Sequence, residues 1–428
     1  MSVLVVGGGG REHALVWALR RDDAQAKLFA APGNPGTAEL ATNLPVPATD
    51  VAGLAAAART HRIDLVVVGP EAPLAAGLAD RLRADGVPVF GPSAEAARLE
   101  SSKAFAKEIM AAARVPTAAS RTFADLAQAE AYIRRHAEPL VVKASGLAAG
   151  KGVVVCETRA EALAAVRGML GAGRLGEAGA EVLIEEFLAG EELSVLALTD
   201  GEQLVLLPGA QDHKRLGEGD TGPNTGGMGA YCPVSIAAPA LLARVRQEVL
   251  EPTLAEMRRR GTPYTGTLYA GLMITREGDP CVLEFNCRFG DPETQVLLPV
   301  LPPGSTEHLR AIATGRWRPG TDALPSTRAA VTTVLAARGY PDAPERGAAI
   351  TIPPTLGDDI LLFHAGTSRD PDGTLRVAGG RVLNVTACAP TVAAAAARSR
   401  AIAERIEFAG KTYRRDIAWR ETRRAGAA

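Results

Sequence analysis

"PLVVKASGLAAGKGVVV" (Pro139–Val155) reads as a strand, a glycine loop and a second strand. Lys151 lies in the loop, but Gly152 and a strand follow it. The segment is therefore not the G-x-x-x-x-G-K-[ST] loop that opens a helix in P-loop proteins. Two strands joined by a flexible glycine hairpin predict a lid over phosphates, with Lys143 at the end of the first strand and Gly150 and Lys151 in the loop. The competing reading is an ordinary hairpin with lysines at its rim. Lysine scarcity favours the lid. Of 47 basic residues only seven are lysines: Lys27, Lys103, Lys107, Lys143, Lys151, Lys214 and Lys411. Where arginine serves for most cations, a retained lysine points to a site that needs a compact ammonium, as beside a phosphate.

Two later stretches extend the nucleotide reading. In "VLIEEFLAGEELSV" (Val182–Val195) a strand end could offer backbone groups to an adenine edge, with a carboxylate further on for ribose hydroxyls. Alone, such a stretch is more commonly an acidic strand end on a solvated face. In "PCVLEFNCRFGDPETQ" (Pro280–Gln295), Glu284 and Asn286 alternate onto one face of a strand, opposite Phe285. A carboxylate and an amide oxygen suit Mg²⁺, which takes hard oxygen ligands and leaves positions for phosphates. Arg288, two residues on, could neutralise a phosphoryl group in transfer. Four charged residues directly after an apolar run would be a poor way merely to end a strand.

The N-terminal "VVGGGGREHALVWAL" (Val5–Leu19) passes from strand through glycines to helix, but G-x-G-x-x-G fails: the third position is Glu12 or His13. The expectation is an anion held by a glycine loop and Arg11, not a dinucleotide. Strands at Val3–Val6, Leu28–Ala31, Asp64–Val68 and Val87–Phe90 alternate with helices near Glu12–Arg21, Val51–His61 and Leu74–Ala84. That order predicts a doubly wound parallel sheet. Its loops "GGGGRE", "PGNPG", "GPEAP" and "GPS" would share the carboxyl edge, where such sheets bind ligands.

Further along, Ser101–Thr117 reads as a capped helix stopped by Pro116, and "SVLALTDGEQLVLLP" as a hairpin turning at Asp200–Gly201. A glycine-rich loop is expected from Gln211 to Tyr231, a long helix over about Pro239–Arg260, and a last helix over Ala389–Arg405. The expected division is an N-terminal α/β domain (1–101), a central domain (102–325, lid about 117–190) and a C-terminal α+β domain (326–428). A chain of 428 residues at net charge −1 gives no general attraction to nucleic acid or anionic membrane. Five scattered cysteines and no long apolar run lead to the expectation of a cytoplasmic protein.

Lys143, E-E-F-L-x-G-E-E and E-F-N-x-R, in this order, resemble the ATP-grasp ligases. Within them, "GGGGREHAL", "APGNPG", "VVGPEAPL", "QDHKR", "GPNTGGMGAY" and "NCRFGDPETQ" are similar to the phosphoribosylamine–glycine ligase (glycinamide ribonucleotide synthetase) family, from Val3 to about Ile417. The resemblance implies ATP-dependent ligation of glycine to 5-phosphoribosylamine through glycyl phosphate, in purine biosynthesis. It implies ATP and Mg²⁺, with Mn²⁺ the other candidate, small-molecule substrates, no nucleic-acid or membrane partner, and a monofunctional monomer or weak dimer. Lys103 and Lys143 match the phosphate lysines, with Gly150 and Lys151 in the lid. Glu185, Glu186 and Leu188 match the adenine-binding strand end, and Glu192 the ribose carboxylate. Glu284 and Asn286 match the metal ligands. Arg288, Asp212 and Lys214 stand near the reacting groups, the last two without assigned roles. Gly8, Gly9, Arg11, Asn34, Gly36, Glu71 and Asp291 fall on the acceptor-substrate side. Many ATP-grasp enzymes draw another acidic ligand from the strand before E-x-N; "TGTLYAGLMIT" has none. A carboxylase or transformylase of the same fold is the alternative, a non-catalytic nucleotide-binding regulator the next, and a dehydrogenase the weakest.

Overall fold

The computed structural model describes residues 1–147, 152–171 and 176–427. Its first unit is a five-stranded parallel sheet in the order Thr42–Asn43, Lys27–Pro32, Ser2–Gly7, Leu65–Val68, Val89–Phe90. Val3, Leu4, Val5 and Val6 have no exposed surface, as expected of a central strand covered on both faces. The chain order reverses between Ser2–Gly7 and Leu65–Val68, so the crevice beyond their carboxyl ends is the topological switch point.

The lid is a four-stranded antiparallel sheet in the order Ser120–Phe123, Val182–Glu186, Leu140–Ala144, Val153–Cys156. Helices Leu126–Arg135 and Arg159–Val166 help close a small core of its own around Phe123, Ile133, Val142 and Ile184. A second antiparallel sheet orders Leu204–Leu206, Gly190–Thr199, Gly266–Thr275 and Pro280–Asn286. The third large sheet runs Gln211–Asp212, Gly229–Cys232, Ala329–Ala336, Arg381–Ala389, Ile360–His364. Two of its strands therefore come from the middle of the chain and three from the C-terminal region. No helix among the described residues is long and apolar enough to cross a membrane.

Several elements differ from the sequence reading. The helix expected over Leu74–Ala84 is two, Glu71–Ala75 and Leu78–Ala84, because Gly77 between them takes the left-handed conformation (φ +82°). The long helix is Pro239–Val245 and Glu251–Arg259 joined through a wide turn at Arg246–Leu250. The glycine-rich loop from Gln211 contains four short strands. Helices Thr294–Val300, Glu307–Ala313 and Trp419–Ala427 were not anticipated.

Candidate active site

A cavity of about 510 Å³ opens at the switch point, walled by the parallel sheet's carboxyl edge, the lid and the strand Pro280–Asn286. Four of the six described lysines (Lys103, Lys107, Lys143 and Lys214) line it. Lys143 Nζ lies 2.6 Å from Glu185 Oε2 and donates to the Leu283 carbonyl at 3.0 Å. That carbonyl is available because the Pro280–Asn286 strand slips register there: Gly271 faces Glu284 while Leu272 faces Val282, leaving Leu283 over. Lys107 Nζ stands 2.9 Å from Glu185 Oε1 and donates to Thr117 Oγ1 and the Ala118 carbonyl. Lys103 begins the helix Lys103–Ala113, capped by Ser102 Oγ accepting from the Phe105 N–H, and donates to the Gly146 carbonyl at 3.3 Å. Burial pushes the ammonium pKa values of Lys103 and Lys107 down.

Glu185 is buried between two lysines, not on a solvated face. Glu186 is exposed and accepts from the Ala119 N–H at 2.8 Å. Glu186, Leu188 and Glu192 do not line the cavity, although Glu192 reaches its edge through Lys214 Nζ, 2.6 Å away. Gly150 and Lys151 lie outside the described residues.

Glu284 and Asn286 both line the cavity, at the end of their strand. Burial opposes the Glu284 charge, but Lys214, Lys143, Lys103 and Arg288 outweigh it and hold the carboxyl below its usual range. Neither side chain has a hydrogen-bond partner among the described residues, and no three His, Cys, Asp or Glu side chains there converge in metal-holding geometry. An ionised carboxylate and a free amide oxygen fit an ion that takes its other oxygens from phosphates and water.

Asp212 and Lys214 enter the cavity from the strand Gln211–Asp212 and its continuation. Burial, with Glu293, Glu192 and Glu284 nearby, raises the Asp212 carboxyl well above normal against the pull of Lys214. Burial works against the Lys214 charge too, yet Glu192, Asp212 and Glu284 keep its pKa above normal. Arg288 NH2 lies 2.8 Å from Glu100 Oε1, and its Nε donates to Glu71 Oε2 at 3.2 Å. Those two carboxylates override burial and fix its positive charge. Glu71 thus holds Arg288 as well as lining the cavity at the end next to the parallel sheet.

At that end the glycine loop differs from expectation. The anion at the start of the helix Gly10–Asp22 is the chain's own Glu12 carboxylate, which accepts from the Gly9 N–H at 2.6 Å and pairs with Arg11 Nε at 2.5 Å. A Cβ on Gly69 would lie 2.1 Å from Glu12 Oε1, so only glycine leaves room for it. Arg11 lines the cavity and donates to the Phe289 carbonyl, whereas Gly8 and Gly9 lie behind it. Asn34 and Gly36 are likewise behind. The Asn34 amide donates to the Gly8 and His364 carbonyls and accepts from the Gly36 and Thr37 N–H groups, pinning the "PGNPG" turn. Asp291 lines the cavity, kept ionised despite burial by Arg381 and Arg11, with Gln295 donating to it at 2.7 Å.

The sequence reading missed Glu100, Glu293, Tyr340 and Arg381, all of which line the cavity. Arg381 NH2 lies 3.2 Å from Asp291 Oδ2, and NH1 donates to the Gly226 and Asp291 carbonyls. Glu293 accepts from Tyr269 Oη at 2.6 Å. Glu293 was at hand in "GDPETQ". Arg381 carried no signal, being one of many arginines, delivered by a strand of another sheet.

Known proteins match this arrangement along its whole length. The N domain of phosphoribosylglycinamide synthetase matches residues 1–100, its ATP-grasp (A) domain 101–294 and its C domain 330–420. The phosphoribosylamine–glycine ligase of Ralstonia nicotianae is 50% identical over 99% of this chain and 100% of its own. The crystal structure of phosphoribosylamine–glycine ligase from Thermotoga maritima superposes with a TM-score of 0.85 at 37% identity, covering 98% of this chain and 100% of that one. The biotin carboxylase domain of Hydrogenobacter thermophilus 2-oxoglutarate carboxylase, solved with MgADP, ADP and bicarbonate, shares the fold alone: TM-score 0.72, 17% identity, 96% and 91% covered. A doubly wound N-terminal sheet, a lid, and a lysine-lined cavity closed by an E-x-N strand are thus the parts of an ATP-grasp enzyme, and the chain belongs to the phosphoribosylglycinamide synthetase family.

Proposed function

We propose that this enzyme joins glycine to 5-phosphoribosylamine at the expense of ATP, giving glycinamide ribonucleotide, ADP and phosphate in de novo purine biosynthesis. The observation that carries the reading is one cavity with lysines at one end, carboxylates and arginines at the other, and Glu284 and Asn286 between them. A glycine carboxylate oxygen attacks the γ-phosphorus of ATP, and ADP leaves. The ribosylamine nitrogen then attacks the acyl carbon and loses a proton, and phosphate departs with the oxygen that glycine supplied. No bond to the protein forms, so positioning and charge neutralisation carry the catalysis.

In this reading Lys103 and Lys143 bind nucleotide phosphates, and Gly150 and Lys151 share that role. Glu185, Glu186, Leu188 and Glu192 serve adenine and ribose. Arg288, held by Glu71 and Glu100, meets the phosphoryl group in transfer, and Lys214 beside Asp212 meets the acyl phosphate. Arg11, Glu71 and Asp291 face phosphoribosylamine, while Gly8, Gly9, Asn34 and Gly36 shape that end from behind. Glu284 and Asn286 would hold Mg²⁺, or Mn²⁺, which when bound neutralises phosphate charge. A cytoplasmic monomer or weak dimer accompanies the proposal, and all five cysteines are free thiols.

The test is ADP release with ATP and Mg²⁺, adding glycine and phosphoribosylamine separately and together. Release that requires both supports the proposal. Release driven by bicarbonate or formate, and not by glycine, points instead to a carboxylase or transformylase.

A further inference from the structure

The strand that brings Asp212 and Lys214 into the cavity must place the residue between them on its opposite face. That residue, His213, has no exposed side-chain surface, and its Nε2 accepts from the Ala418 N–H at 2.9 Å. Ala418 is about 200 positions further along the chain and holds a left-handed backbone (φ +66°), a conformation a residue with a Cβ keeps only where its surroundings impose it.

Four residues earlier, Arg414 also has no exposed side-chain surface. Its Nε and NH2 donate to the two Asp416 oxygens, each at 2.8 Å. Its NH1 donates to Asp220 Oδ1 at 2.8 Å and to the Arg215 carbonyl at 3.1 Å. Asp416 Oδ2 accepts in turn from the Gly219 N–H, and Glu218 accepts from the Arg415 N–H. Every one of these bonds joins the 213–220 segment to the C-terminal segment or holds that clamp together. Lys214 itself has one side-chain hydrogen bond among the described residues, to Glu192 Oε2 at 2.6 Å. The backbone on either side of Lys214 is therefore fixed from behind, through His213 and Arg215.

We infer that Arg414 is a positioning residue for the reaction: the clamp Arg414–Asp416–Ala418 sets where Lys214 Nζ stands in the cavity. The inference rests on the proposed role of Lys214. A planar guanidinium can bridge Asp416, Asp220 and a carbonyl at once, and a lysine ammonium at the same position cannot span all three.

The experiment measures kcat and KM in Arg414→Lys and Asp416→Asn, each made in the natural chain and in a Lys214→Met background. Asp416→Asn keeps the buried arginine and its shape, so it reads the same clamp should Arg414→Lys fail to fold. Each clamp substitution is expected to lower kcat at least about tenfold in the natural chain, with KM for ATP within about twofold. In the Lys214→Met background it should cost less than about twofold, because the positioned group is already gone. Equal losses in both backgrounds, or a loss appearing only as a raised KM, would overturn the clamp while leaving the role of Lys214 standing. Unchanged kcat in Lys214→Met alone would contradict the role of Lys214 and this inference with it.

Discussion

Lys143 stands where one ammonium meets the Glu185 carboxylate and the Leu283 carbonyl inside the cavity. The larger planar fork of arginine would misdirect its donors there. Lys143→Arg should therefore lower kcat/KM for ATP at least about tenfold, roughly 1.4 kcal/mol, with little change in melting. Lys27, exposed at the start of its strand, offers the control: Lys27→Arg should change stability by under about 0.5 kcal/mol and leave activity alone. Equal activity in the two variants would make the placement of lysines incidental. Glu284→Gln keeps the shape but removes the ionised oxygen. Turnover should fall at least about a hundredfold, roughly 3 kcal/mol, and an unchanged Mg²⁺ dependence of rate would rule it out as a ligand. Lysine scarcity was thus legible: of the six described lysines, four line the cavity, Lys411 caps a helix end through the Ala403 and Glu404 carbonyls, and Lys27 is exposed. Arg381 and Glu100 were not, since a buried ion pair between distant segments leaves no local pattern.

The start of the helix Gly10–Asp22 shows how an anion at a helix end can come from the chain itself. Free N–H groups and the helix dipole do call for an anion there. The third helical position supplies one, because Glu12 folds back onto the Gly9 N–H. Glu12→Gln keeps the shape but removes the carboxylate paired directly with the buried Arg11. It should cost about 1–3 kcal/mol of stability, measured by denaturant unfolding; a cost below about 0.5 kcal/mol would mean that water already serves these groups. Elsewhere strands were legible from apolar runs, and breaks were not. Gly77 interrupts a helix whose apolar spacing continues across it. The strands from Gln211 on are too short to show period-two alternation: Gln211–Asp212 and Ala329–Ala336 flank Gly229–Cys232, and Arg215–Gly217 pairs with Thr221–Asn224.

Across the whole molecule, the N-terminal unit meets the C-terminal sheet at two buried histidines. His13 Nδ1 accepts from the His364 N–H at 2.9 Å, with the rings 5.8 Å apart. Burial, helped by the His364 charge, lowers His13 to about 3, and burial, helped by the Arg369 charge, lowers His364 to about 4. Unfolded, both would titrate near 6.5. Their neutral forms therefore cost nothing above about pH 6.5, and stability falls as pH drops from there toward 4, by about 2 kcal/mol per histidine at pH 5. His13→Gln should flatten the fall in unfolding free energy between pH 7.5 and 5 by about that amount; parallel curves would contradict it. This contact, like the sheet shared between mid-chain and C-terminal strands, joins residues some 350 positions apart, which no local reading could pair. The chemistry those contacts enclose is tested most directly by turnover with glycine labelled with ¹⁸O in both carboxylate oxygens. Activation of glycine by ATP in this cavity predicts one ¹⁸O in each phosphate released. Unlabelled phosphate formed alongside glycinamide ribonucleotide would contradict it.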